Sequence, residues 1–239
     1  EKDGFQLHPE EMEEKITKKT RAIILNSPSN PTGTVLSKKV LEKVADMAVE
    51  HDLVVFCDEA YEKFCFGNAK HVSMASLNGM HDHVLTFHSF SKSYAMPGFR
   101  LGYVAGHAEL IREISKIHIF TSLAASTANQ YGGLAALQMK KSHTEKMRKS
   151  YDERRKLTLQ LLKNVQTLHV EKDPEGAFYV FPRILNEKKS SEYVHHLLKK
   201  ANVLMVPGNE FGKKGEGFVR ISYATGKEKI KEAFERMEE

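Results

Sequence analysis

The chain has 239 residues, 41% hydrophobic and 28% charged, a composition typical of a globular protein with a sizeable core. Its formal charge of +5 is spread over faces of mixed sign, such as EEMEEKITKKTR and KEKIKEAFERMEE, with no basic and aromatic stripe, which argues against nucleic-acid binding. No run approaches about 18 apolar residues, so no segment is expected to span a membrane.

Taken in chain order, RAIILN (Arg21 to Asn26) is a short apolar run and predicts a buried strand. SKKVLEKVADMAVEHD follows, with Val40, Leu41, Val44, Ala45, Met47 and Ala48 on helical spacing and Ser37 as N-cap. LVVFCD (Leu53 to Asp58) is a second buried strand. Strand, helix, strand with continuous apolar strands predicts a parallel sheet covered on both faces. HVLTFHS and RLGYVAG add strands, and helices are expected over Ala108 to Ile117 and Ser126 to Lys140. A long charged helix runs from Lys141 to Asn164. Beyond it GAFYVFPRI predicts a strand, SSEYVHHLLKKAN a helix, VLMVPG and GFVRISYA strands, and GKEKIKEAFERMEE a closing helix. The expected division is a large α/β domain over residues 1–145 and a smaller α+β domain over 146–239, entered by the long helix.

Cys57 and Cys65 have no second pair, so no zinc spacing exists. Two cysteines in a chain of this length suggest a reducing compartment, and with no signal peptide at the start a cytoplasmic setting is expected. The paired histidines His81 and His83, and His195 and His196, have no carboxylate partner placed for them, so no metal site is expected; His88 is read as packing.

Four stretches carry chemistry. NSPSNPTGTV (Asn26 to Val35) follows a strand and precedes a helix, and its prolines and glycine make a rigid loop that can aim the amide of Asn30. DEAYEKF (Asp58 to Phe64) lies at another strand end, with Asp58 and Tyr61 three apart so that both can point the same way on a first helical turn. Asp58 suits either a helix cap or a partner for a buried cation. In HSFSKSYAMPGFRLGY, Lys92 sits among small hydroxyls and apolar segments, which suits a desolvated amine, while Ser89 and Arg100 suit a phosphate. In GFVRISYA, Arg220 alternates with apolar residues; it faces solvent or finds an anion, and its fork binds carboxylates bidentately.

Together NPTG (Asn30 to Gly33), DEAY (Asp58 to Tyr61), SFSKSYAMPGFRLGY (Ser89 to Tyr103) and VRISYA (Val219 to Ala224) resemble the pyridoxal-phosphate-dependent aminotransferases of class I/II, fold type I, most of all the archaeal and bacterial aspartate or aromatic branch. The resemblance runs from Gly4 to Arg236. It implies a mostly parallel large domain plus a smaller α+β domain, and pyridoxal 5'-phosphate as cofactor. It implies that Lys92 forms the Schiff base and then shuttles a proton, and that Asp58 pairs with the ring nitrogen. Tyr61 and Asn30 would hydrogen-bond the ring oxygen, Ser89 and Arg100 would hold the phosphate, and Arg220 would clamp the substrate α-carboxylate with Asn30 beside it. Aspartate or aromatic donors, 2-oxoglutarate as acceptor and a homodimer are implied as well. The alternatives are another pyridoxal-phosphate chemistry on this fold, a carbon–sulfur lyase or a decarboxylase, and a non-catalytic relative. Pro97 and Phe99 depart from common choices in the family but keep the loop rigid and apolar. Family members are longer at the amino end, where a phosphate-binding turn and a ring-stacking aromatic lie, so the resemblance implies a longer enzyme.

Overall fold

The computed structural model describes residues 2–238. The chain divides into two compact units: Gln6–Pro28 with Val35–Glu145, and Glu1–Phe5 with Ser29–Thr34 and Lys146–Glu239. Here the structure departs from the expected 1–145 block, because the segment 29–34 groups with the C-terminal unit. The reason lies in its main chain: Gly33 O accepts hydrogen bonds from Glu175 N at 3.0 Å and Gly176 N at 2.7 Å.

The first unit contains α1 (Pro9–Glu13), β1 (Ala22–Asn26), α2 (Lys38–Glu50), β2 (Val54–Asp58), β3 (Val84–Ser89), α3 (Phe90–Ser93), β4 (Gly102–Gly106), α4 (Ala108–Ser122) and α5 (Thr127–Leu137). The sheet order is β1-β2-β3-β4. Strands β1, β2 and β3 are parallel, and β4 returns antiparallel to β3. Helix α2 begins where Ser37 accepts a hydrogen bond from Val40 N at 3.3 Å, as its N-cap position requires. Its apolar stripe, Leu41, Val44, Ala45, Met47 and Ala48, packs in one core with Ile23, Leu25, Val55 and Cys57 of the sheet. Burial on both faces, the expectation for these strands, is met in β3, where Leu85 on the face opposite this core is 2% exposed, but not in β1, where Ile24 on that same face is 78% exposed. Strand β3 lies inside the four-strand order and β1 at its edge.

This core sets a first prediction. Leu41 is 1% exposed. Leu41→Ala should therefore lower the unfolding free energy by about 2–5 kcal/mol in a denaturant titration. A loss below the lower figure would mean that α2 does not seal this core.

The second unit takes most of α6 (Ser142–Leu162), then β5 (Leu168–His169), β6 (Tyr179–Val180), β7 (Arg183–Ile184), α7 (Ser190–Ala201), β8 (Val206–Pro207), β9 (Val219–Ser222) and α8 (Lys227–Glu238). Strand β9 is central in a sheet ordered β6-β9-β8, antiparallel to both neighbours. The single strand expected over GAFYVFPRI is two short ones, because Pro182 has no N–H to give to a ladder. Phe181 and Phe218 stack with ring centroids 5.1 Å apart, and buried Tyr193 shares a 2.7 Å hydrogen bond with Thr167. Among the described residues no helix is long and apolar enough to cross a membrane.

Candidate functional site

In the first unit Asp58 and Ser89 lie at the carboxyl ends of β2 and β3, where parallel strands present ligand sites. Asp58 is the last residue of β2 and pairs in register with Phe87 of β3, two residues before Ser89. An open groove of about 450 Å³ is lined there by Phe56, Phe87, Asp58 and Ser89 among others. Asp58 Oδ1 accepts from Ala60 N at 3.1 Å. Its carbonyl accepts from Ser27 N at 3.2 Å and from the Asn26 amide at 3.3 Å, which fixes the main chain at this point. The expected helical turn after Asp58 is a pair of hydrogen-bonded turns instead, Glu62 N to Glu59 O and Phe64 N to Tyr61 O, both at about 2.9 Å or less. Those turns bury Tyr61.

Ser89 caps α3, its hydroxyl accepting from Ser91 N at 3.2 Å. Lys92 lies in that short helix, half-buried, with Nζ 5.9 Å from the centroid of the Tyr61 ring. Arg100 follows in left-handed backbone, φ 49°. It is exposed and donates to Pro97 O at 3.0 Å. Gly102 then permits β4 to pass close to β3, since a Cβ there would stand 2.7 Å from His88 O.

Behind Asp58 the structure places a group that no pattern in the sequence marks. Glu59 is fully buried. Its carboxylate accepts from Ser73 Oγ at 2.9 Å and Met74 N at 3.2 Å, and lies 3.0 Å from His71 Nε2. Burial pushes the Glu59 carboxyl up, but the hydrogen bonds and charge of His71, with Ser73 and Met74, outweigh it and hold the group below the usual carboxylate range. His88 packs as expected, its ring stacked on Tyr103 at 4.7 Å, and its Nε2 also stands 4.0 Å from Glu59. No local signal announces this cluster, because nothing in DEAY says which way Glu59 turns. Cys57 belongs to the core; burial, with Glu59 nearby, pushes its thiol well up, so it is a packing residue rather than a nucleophile.

The second unit holds the other pair. Arg220 is on central strand β9, with Val206 of β8 in register beside it. Its guanidinium lies over the Tyr179 ring at 4.4 Å and the Phe211 ring at 5.1 Å. Its Nη1 donates to Asn30 Oδ1 at 2.8 Å. Its Nε is buried with no hydrogen-bond partner. Asn30 is presented by a tight loop in which Gly33 N donates to Ser29 O and Ser29 N to Thr34 O, each at 2.9 Å. Gly33 needs its φ of 71° and its missing side chain, since a Cβ there would be 2.4 Å from Pro174. A guanidinium set against two rings, oriented by an amide and left with a buried donor to satisfy, is built to receive a planar anion such as a carboxylate.

The candidate residues thus fall in two sets: Asp58, Tyr61, Ser89, Lys92 and Arg100 in the first unit, Asn30 and Arg220 in the second.

The chain is similar to proteins of known family along its length. Residues 1–237 match the model of the family described as aminotransferase class I and II. An aspartate aminotransferase of Pyrococcus abyssi is 47% identical over 241 residues, covering 100% of this chain and 61% of the relative. An aromatic-amino-acid aminotransferase of Thermococcus litoralis is 44% identical, again covering 100% of this chain and 61% of its own. The crystal structure of an aromatic aminotransferase from Pyrococcus horikoshii superposes with a TM-score of 0.93 at 48% identity, covering 99% of this chain and 64% of that one. The chain therefore spans less than two thirds of the length of these relatives.

Proposed function

The chain belongs to aminotransferase class I and II, and from that premise we propose that it carries the lysine, ring-nitrogen and carboxylate sites of a pyridoxal-phosphate enzyme that moves the amino group of an L-amino acid, aspartate or aromatic, to 2-oxoglutarate. The observation that carries the proposal is the convergence of Asp58 and Ser89 on one groove at the ends of β2 and β3. The groove fits the cofactor: its volume of about 450 Å³ suits a small molecule, Phe56 and Phe87 offer apolar walls, and Asp58 and Ser89 supply a carboxylate and a hydroxyl.

The cofactor, when bound, supplies an electron sink that no side chain can provide. The residues do the rest. Asp58 holds the ring nitrogen protonated; an opposite charge at about 4 Å contributes about 4 kcal/mol at an effective dielectric of 20. Ser89 and Arg100 would hold the phosphate. Tyr61 and Asn30 would be the donors to the ring oxygen. Lys92 would supply the amine that holds the cofactor and, as a free amine, a base placed to take and return the proton at the substrate Cα. Arg220 takes the α-carboxylate as a bidentate pair, with Asn30 holding the guanidinium in plane. On this reading the first unit is the cofactor domain and the second the smaller domain, the active assembly is a homodimer, and the enzyme works in the cytoplasm.

Product analysis tests the reaction class. With aspartate or an aromatic amino acid and 2-oxoglutarate, one glutamate should form for each donor consumed, and nothing should happen without the oxo acid. Release of pyruvate and ammonia without an oxo acid would assign a lyase instead, and release of carbon dioxide a decarboxylase.

A further inference from the structure

We infer that Glu59 is a positioning residue for the cofactor site: its buried carboxylate, tied to His71, Ser73 and Met74, holds the main chain from which Asp58 projects, beside the strand end that carries Ser89. The inference rests on the cofactor reading above.

Four observations support it. Glu59 is 0% exposed, and a carboxylate is retained at such a place only when its oxygens are satisfied. Both oxygens are: Oε1 takes Ser73 Oγ and Met74 N, and Oε2 faces His71 Nε2. Secondly, Glu59 N donates to Phe87 O at 2.9 Å, so the ladder between β2 and β3 continues one residue past Asp58. Thirdly, Glu59 Oε2 stands 4.0 Å from His88 Nε2, and His88 precedes Ser89 directly. The residues next to both candidate cofactor contacts are thus tied to, or stand beside, one buried carboxylate. Finally, the 71–74 segment that supplies three of the donors contains Met74, itself 0% exposed and part of the core that packs α2 on the sheet. The carboxylate therefore ties the end of β2 to a rigid core, with the end of β3 beside it.

Glu59, Glu62 and His88 also offer ligand atoms within 4.8 Å of one another. The oxygens of Glu59 are already occupied by three donors, so the cluster is assigned to hydrogen bonding rather than to a metal.

The test compares Glu59→Gln with Val44→Ala, a core variant away from the site that is 0% exposed in the wild type, at temperatures giving both the same fraction folded. Two quantities are read: the dissociation constant of pyridoxal phosphate by absorbance, and the circular dichroism of the visible band per bound cofactor, which reports how firmly the ring is held. Glu59→Gln should weaken binding roughly tenfold and reduce the dichroism per bound cofactor, while Val44→Ala changes neither. Should Glu59→Gln fail to fold, His71→Asn is read the same way and should move both quantities in the same direction. Unchanged values in the folded variant, or equal changes in Val44→Ala, overturn the inference. Wild-type protein that takes up no pyridoxal phosphate overturns the cofactor reading itself, and this inference with it.

Discussion

Lys92→Ala should leave the chain folded and abolish its covalent hold on pyridoxal phosphate. The wild-type protein, mixed with cofactor and reduced with borohydride, should gain one cofactor, less a water and plus two hydrogens, on the peptide containing Lys92. The variant should gain none, and its transamination rate should fall by about 10⁴-fold or more, since one amine serves as both anchor and base. Stability should change little. Lys92 is half-buried on a four-residue helix whose cap is made by Ser89 and not by the lysine. The thermal midpoint without cofactor therefore separates loss of chemistry from loss of fold. Trapping of the cofactor on another lysine, with activity kept in the variant, would remove Lys92 from the mechanism. Persistent activity with no trapping anywhere would remove the cofactor.

Arg220→Lys should cost on the order of 10²- to 10³-fold in kcat/KM for the amino donor, carried mostly by KM. Lysine keeps the charge but not the fork. It cannot pair both oxygens of a carboxylate while donating to Asn30. The stability arithmetic has the opposite sign. The buried Nε of Arg220 has no partner, and an unsatisfied buried donor costs about 1–3 kcal/mol. A bound carboxylate recovers that cost. Saturating 2-oxoglutarate should therefore raise the thermal midpoint of the wild type and leave that of Arg220→Ala unmoved. Equal shifts in the two proteins would mean that the carboxylate binds elsewhere.

The two sites differ in how legible they are without the fold. Lys92, Asp58 and Arg220 each lie in a local pattern with a physical meaning: a lysine among hydroxyls, a carboxylate at a strand end, an arginine inside an apolar strand. Their order along the chain carries the family resemblance. Glu59 lies in the same four-residue motif as Asp58 and has no such signature. Its role depends on His71, Ser73 and Met74 closing over it, and a carboxylate in a sequence reads as exposed by default. His88 reads as packing for the same reason. Its neighbours in the chain, Phe87 and Ser89, say nothing of the Glu59 carboxylate 4.0 Å away.

Short-range physics accounts for what the sequence alone determined. The apolar runs set β1, β2 and β3, the 3.6-residue stripe set α2, and Ser37 set its start, because these depend on contacts within a few residues. Only the tertiary structure decided the rest. Asn30 and Arg220 are 190 residues apart and meet at 2.8 Å. The loop that carries Asn30 belongs to the C-terminal unit through the Gly33 carbonyl, which no periodicity can foretell. Glu59 became a brace rather than a surface acid because three donors from the segment 71–74 satisfied it. Such contacts depend on which segments the core brings together, and that is decided by packing summed over the whole unit rather than by any single stretch.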